Sequence, residues 1–229
     1  MNPIADLLSL LLPRACPACS KLLKDWEECL CLVCLGKLPV THFHMDPENQ
    51  MAEMFWGRIK LLQAIAWFYF RKGSAYQDVL HKLKYNDRPD IGVSLGRQYG
   101  YELRESSGFI KPDLLIPVPL NARKQRKRGF NQSEAIAKGL SEGLNIPLKG
   151  HLLTRPLATS TQTRKSRYDR YLNVSGKFKV TDPSQLENRH ILLIDDVITT
   201  GATLEACAEE LLSVPGVQVS VVALAWARL

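Results

Sequence analysis

The sequence lacks any uninterrupted apolar stretch approaching the roughly 18 residues that a membrane helix needs, so no spanning helix is expected. No glycine-rich run ends in Gly-Lys-Ser/Thr, which excludes a Walker-type nucleotide loop. Internal repeats and low-complexity tracts are absent, and 45% hydrophobic residues in 229 exclude a disordered chain. Only one cysteine, Cys207, lies outside residues 16–34, so a disulfide framework is excluded. The clustering reads as metal spacing in a reducing compartment. Residues 1–13 carry Leu7, Leu8, Leu10, Leu11 and Leu12 but no basic start, and they run into cysteines rather than a small-residue cleavage site. A short amphipathic helix and a cytoplasmic location are therefore expected.

The formal charge is +7, but it is unevenly placed. Arg123, Lys124, Arg126, Lys127 and Arg128 form one basic window, and residues 155–170 hold five more basic residues against the lone Asp169. Together these windows exceed the whole chain's charge, so the remainder is slightly acidic. Such concentration suits a polyanion, either a pyrophosphate or a nucleic-acid backbone; two solvated loops are the bland alternative.

Cys16-x2-Cys19 and Cys31-x2-Cys34, eleven residues apart, supply four thiolates on two knuckles. Four soft ligands suit a tetrahedral Zn²⁺ of structural type. The sequence leaves open whether Cys29, His42 or His44 replaces one of them. Residues 38–47 read as a connector, so the expected division is a helix and zinc module in residues 1–45 and a second domain in residues 46–229.

In that second domain, continuous apolar runs at residues 61–70, 114–118, 191–194 and 217–225 read as strands, with a brief one at 152–154. Helical spacing fills residues 74–85, 91–105, 131–144, 163–172 and 202–213, and a basic loop is expected at 123–128. Uninterrupted apolar strands alternating with helices predict an α/β fold, a mostly parallel sheet covered on both faces. Cys207 reads as a small core residue, and Trp67, Phe68, Tyr69 and Phe70 as strand core.

The most informative stretch is Ile191-Leu-Leu-Ile-Asp195-Asp196-Val-Ile-Thr199-Thr200-Gly201-Ala202-Thr203-Leu204. A buried strand runs into two carboxylates, a turn of small residues and a helix start. Ligands of open parallel sheets sit beyond the carboxyl ends of strands, where the next helix presents free N–H groups. Gly201 permits close approach of an anion, and Thr199, Thr200 and Thr203 add hydroxyl donors. Asp195 and Asp196 can reach vicinal sugar hydroxyls or Mg²⁺. Adjacent carboxylates are costly unless something polar or cationic meets them. An ordinary capped helix would explain neither the paired acids nor the whole turn.

This stretch resembles the phosphoribosyl pyrophosphate signature of type I phosphoribosyltransferases. The resemblance implies that Asp195 and Asp196 hold the ribose hydroxyls, that Thr199, Thr200, Gly201, Ala202 and Thr203 hold the 5′-phosphate, and that Mg²⁺ accompanies the substrate. It also implies a pyrophosphate loop at Ile116-Pro117-Val118-Pro119, with the Val118–Pro119 isomer left open. Lys127 and Arg128 would serve the leaving pyrophosphate, Arg128 beside the acids as a catalytic group. Two further groups resemble the ComF competence proteins: Arg128-Gly-Phe-Asn-Gln132-Ser-Glu134, and Gln162, Arg167, Arg170 and Asn173 with Val174, Gly176 and Phe178. The helix with Lys82, Lys84 and Tyr85 resembles that family too. The ComF resemblance implies partners in single-stranded DNA, contacted through Arg123, Lys124, Arg126, Arg167 and Arg170, and in competence proteins at the inner membrane. The sequence fixes neither an acceptor, nor turnover, nor the oligomeric state.

Overall fold

The computed structural model describes residues 14–85, 88–156 and 177–227. The helices expected in residues 1–13 and 163–172, with Arg164, Arg167 and Arg170, lie outside these.

Six strands are described: β1 (Ala64–Tyr69), β2 (Leu114–Pro117), β3 (Leu153–Thr154), β4 (Lys179–Val180), β5 (His190–Ile198) and β6 (Gln218–Trp226). Four of them form one all-parallel sheet in the order β1-β6-β5-β2, and β3 and β4 form a small antiparallel pair. The helices are α1 (Leu32–Gly36), α2 (Gln50–Glu53), α3 (Ala75–Tyr85), α4 (Pro89–Arg104), α5 (Ala122–Arg128), α6 (Gln132–Leu144) and α7 (Ala202–Leu212). The apolar runs of β1, β5 and β6 are buried because helices cover both faces of a parallel sheet. Cys207 is buried in α7 and Trp67 stacks on Tyr99 at 5.3 Å, as expected of core residues.

Two departures from the sequence expectations matter for function. Residues 123–128 are not a loop but a helix, α5, which Asn121 caps by accepting from the Arg123 N–H. Arginine, lysine and glutamine are good helix formers, and Gly129 at φ 82° stops the helix in a conformation that suits glycine. The connector also pairs with the sheet: the Thr41 N–H donates to the Trp67 carbonyl and the Tyr69 N–H to the Pro39 carbonyl. It thereby covers the free edge of β1, which would otherwise offer unpaired backbone groups.

Helices α4 and α6 cross with their backbones in contact. A Cβ at Gly139 would stand 1.9 Å from the Val93 carbonyl oxygen, and one at Gly96 would stand 2.2 Å from that of Ile136. No rotamer relieves a clash with backbone, so Gly139→Ala is expected to destabilise the fold by about 2 kcal/mol or more despite alanine's better helix propensity. Urea unfolding of the variant checks this. The close crossing fixes where the first turn of α6 meets the end of β5.

Candidate functional site

The central strand β5 carries Ile191, Leu192, Leu193 and Ile194 in the core and then, without leaving the strand, Asp195 and Asp196 at its carboxyl end. The strand runs four residues further than the apolar run alone indicated. Three elements converge on the acids. Lys84, near the end of α3, places its Nζ 2.9 Å from Asp196 Oδ2. Ser133, in the first turn of α6, donates from Oγ to Asp195 Oδ1 at 3.0 Å. The Asp196 N–H donates to the same Oδ1, and the Val197 N–H to Asp196 Oδ1. The cationic and polar partners that adjacent carboxylates require are thus Lys84 and Ser133. Burial, then the neighbouring Asp196 charge, push the Asp195 carboxyl up to about 7 against these opposing bonds.

Beyond Ile198 the chain turns through Thr199, Thr200 and Gly201 into α7. Gly201 has φ 73°, and a Cβ there would sit 2.8 Å from the Phe55 ring, so the turn needs glycine for both conformation and space. Gly201, the residue at the N-terminal cap of α7, has no side chain to cap it, and no other side-chain hydrogen bond to its first-turn amides occurs among the described residues. Its first-turn amides and positive dipole end therefore face the small cleft lined by Asp195, Val197 and residues 198–204. Arg58 braces the turn from outside through an ion pair with Glu205, and it donates to the Met54 carbonyl. Lys84, Ser133, Phe55 and Arg58 escaped the sequence analysis as members of this site because each arrives from a distant segment.

On the other side, the Val118 N–H donates to the Ile194 carbonyl at 2.8 Å and the Val118 carbonyl accepts from Asn131 Nδ2 at 3.0 Å. Among the described residues every peptide bond is trans, including Val118–Pro119. Asn131 also caps α6, so one buried side chain joins the end of β2 to the helix that carries Ser133. Arg128 donates from Nη1 to the buried Gln132 Oε1 at 2.7 Å, adjacent to Ser133. Arg123, Lys124, Arg126 and Lys127 are exposed along α5. In the second basic window, Arg155 lies over the Phe178 ring at 5.3 Å, while Arg167 and Arg170 lie outside the described residues.

The four cysteines Cys16, Cys19, Cys31 and Cys34 place one sulfur each within 4.8 Å of all the others. Cys19 Sγ and Cys31 Sγ are 3.7 Å apart, close to the roughly 3.8 Å edge of a tetrahedron with 2.3 Å zinc–sulfur bonds. The Cys31 N–H points at Cys16 Sγ at 3.5 Å, an arrangement that favours thiolate. This set could hold a metal ion such as zinc. Cys29 is buried outside the set, and burial, followed by the charge of Asp90, pushes its thiol up to about 12. His42 and His44 stand with Glu102 instead of with the cysteines. The module is tied to the sheet domain by Tyr76 Oη donating to the Cys34 carbonyl and Lys82 Nζ to that of Pro17, each at 2.7 Å. No helix among the described residues is long and apolar enough to cross a membrane.

Residues 127–228 match the phosphoribosyl transferase domain family. The chain is 32% identical over 201 residues to the DNA utilization protein YhgH of Shigella flexneri, spanning 86% of this chain and 83% of that one. It is 38% identical over 94 residues to Competence protein F of Haemophilus influenzae, 41% of each chain. Competence protein ComFC of Bacillus subtilis shares 37% identity over 112 residues, 47% of this chain and 43% of that one. The likeness to YhgH runs through most of both chains, and the relatives share a competence or DNA-utilization name. This protein, a type I phosphoribosyltransferase domain with a parallel sheet flanked by helices and a cysteine cluster near its N-terminus, therefore belongs to the ComF family.

Proposed function

We propose that the chain binds phosphoribosyl pyrophosphate with Mg²⁺ and acts in the cytoplasm in handling single-stranded DNA during natural competence. The observation that carries this reading is the pairing of Asp195 and Asp196 with the uncapped start of α7 at the carboxyl end of the central strand. The two acids take the ribose hydroxyls and Mg²⁺, and the amides and hydroxyls of Thr199, Thr200, Gly201, Ala202 and Thr203 take the 5′-phosphate. Pro119, with Val118 fixing the end of β2, and Lys127 and Arg128 of α5 serve the pyrophosphate. Mg²⁺ supplies charge neutralisation of the phosphate oxygens when bound. Lys84 leaves Asp196 or shares it as the substrate enters.

The DNA side of the reading rests on the names of the relatives and on the exposed face of α5, whose Arg123, Lys124 and Arg126 meet phosphates together with Arg167 and Arg170. Zinc on Cys16, Cys19, Cys31 and Cys34 is structural, and the domain in residues 1–45, held against the domain in 46–229 by Tyr76 and Lys82, contacts competence proteins at the inner membrane.

A second reading is an active phosphoribosyltransferase that joins an amine or nucleobase nitrogen to the anomeric carbon and releases pyrophosphate. It draws on Arg128, whose Nη1 donates to Gln132 Oε1 one residue before the acid-bound Ser133 and which would stabilise the leaving charge. Pyrophosphate release from the sugar donor, measured with and without single-stranded DNA, amines and nucleobases, separates the two. Salt-sensitive DNA binding without turnover is the expected result, and turnover with one acceptor would favour the second reading. In a titration with single-stranded DNA at graded salt, replacing Arg123, Lys124 and Arg126 together by alanine is expected to lower the slope of log affinity against log salt by about two. An unchanged slope would remove α5 from the DNA surface.

A further inference from the structure

The connector that covers the edge of β1 carries a second cluster of metal-ligating side chains. His42, His44 and Glu102 each place one donor atom within 4.8 Å of the others. Nothing in the phosphoribosyl or cysteine sites uses these residues. We propose that His42, His44 and Glu102 form a second metal site, which takes one divalent ion of the zinc class and leaves a coordination position open to solvent.

The chemistry of the donor set supports this first. Two imidazoles and a carboxylate suit zinc and its neighbours in the first transition row rather than Mg²⁺ or Ca²⁺, which prefer all-oxygen shells. Three protein ligands leave the fourth position of a tetrahedron for water, unlike the closed four-thiolate set. Bonds of about 2.1 Å place tetrahedral donors about 3.4 Å apart, so closure needs a shift of about 1.5 Å or less. The exposed His42 ring can supply it.

The surroundings hold the ligands in place. Glu102 accepts from Trp67 Nε1 at 2.7 Å through Oε2, which orients the carboxylate and leaves the other oxygen for the ion. This is the arrangement by which groups behind the ligands commonly fix a metal-bound carboxylate. His42 adopts the left-handed conformation, φ 57° and ψ 22°, uncommon for a residue other than glycine. That bend brings the His42 and His44 rings to 6.2 Å between centroids although only one residue separates them. The His44 backbone is clamped in turn. Its carbonyl lies so close to Gly108 that a Cβ there would be 2.3 Å away, and Gln63 donates to the Gly108 carbonyl while accepting from the Ile110 N–H. The Tyr99 hydroxyl, whose ring stacks on Trp67 behind the carboxylate, is buried with no hydrogen-bond partner among the described residues. The bound ion would clip the connector to α4 and so fix the covering of β1 at the end of the strand remote from the phosphoribosyl site.

The test is a metal count on the full chain. Wild type, His42→Ala, Glu102→Gln and Trp67→Phe are each saturated with Zn²⁺, freed of loosely held ion by dialysis, and assayed for zinc by mass spectrometry and for Zn²⁺ affinity by calorimetry. Wild type is expected to hold one equivalent more than His42→Ala and Glu102→Gln. Trp67→Phe is expected to bind that equivalent roughly 10- to 100-fold more weakly. His42 is exposed, so its variant should fold, and an unchanged melting curve in metal-free buffer verifies this. Equal zinc content in wild type and both ligand variants would overturn the proposal. The comparison is independent of the cysteine ligand set and of sugar-phosphate binding, because neither is altered in these variants.

Discussion

Changing Asp195 and Asp196 together to asparagine is expected to lower Mg²⁺-dependent affinity for phosphoribosyl pyrophosphate by at least about 100-fold while leaving the fold intact. Neutral amides cannot neutralise Mg²⁺, and they are weaker acceptors for two sugar hydroxyls than carboxylates. The fold survives because an asparagine oxygen at 195 still accepts from Ser133 Oγ and the Asp196 N–H. Stability should respond to pH in a defined sense. The Asp195 carboxyl is raised to about 7 by burial and by Asp196, so the folded state holds its proton more tightly than the unfolded chain does. Stability therefore falls as pH rises from about 4 towards 7 and is flat above. Asp195→Asn alone should stabilise the protein by roughly 2–4 kcal/mol at pH 8, and the gain should fade towards pH 4. Wild-type ligand affinity should move the other way, weakening up to about tenfold per unit below pH 7, because the ion must displace that proton. Isothermal titration and thermal melts across this range check both signs. Unchanged affinity in the double variant would show that these two acids do not hold the ligand.

The zinc proposed for the cysteine centre carries the second large effect. The module around it buries little apolar surface: Leu22, Trp26, Leu32 and Val33 are all more than half exposed. Zinc bound by four thiolates contributes on the order of 10 kcal/mol, far more than such a segment gains from burial. Cys31→Ser is expected to release the ion and make residues 14–38 sensitive to protease, while the parallel sheet keeps its cooperative transition. Cys29→Ser should retain the ion, because Cys29 lies outside the set of four. Zinc analysis with limited proteolysis reads both variants. Full zinc retention in Cys31→Ser would assign the ligands elsewhere.

These expectations draw unequally on sequence and structure. The strands around Ile191, Leu115 and Val221 were legible because a strand buried on both faces is apolar without interruption. The helices at 75–85, 89–104, 132–144 and 202–212 were legible from their spacing and, for α6, from Asn131 as its cap. The basic segment at 123–128 was misread as a loop because its charge hid a good helix composition. Asp195 and Asp196 stood out since adjacent acids after an apolar run need an explanation. Lys84 and Ser133 stood in segments that resemble the ComF family, but nothing tied them to the acids: they lie 112 and 62 residues away, and only the fold brings them together. The same holds for Glu102, whose place beside His42 and His44 depends on α4 passing behind the connector. The glycines of α4 and α6 were equally silent, since backbone contact between helices leaves no periodic apolar mark.

The most direct measurement is a crystal structure of the protein soaked with phosphoribosyl pyrophosphate and Mg²⁺. The account expects the 5′-phosphate within hydrogen-bond distance of the amides at 200–203 and the ribose hydroxyls at Asp195 and Asp196, with Lys84 moved from Asp196. Sugar-phosphate density elsewhere, with the Lys84–Asp196 pair intact and the start of α7 bare, would contradict it.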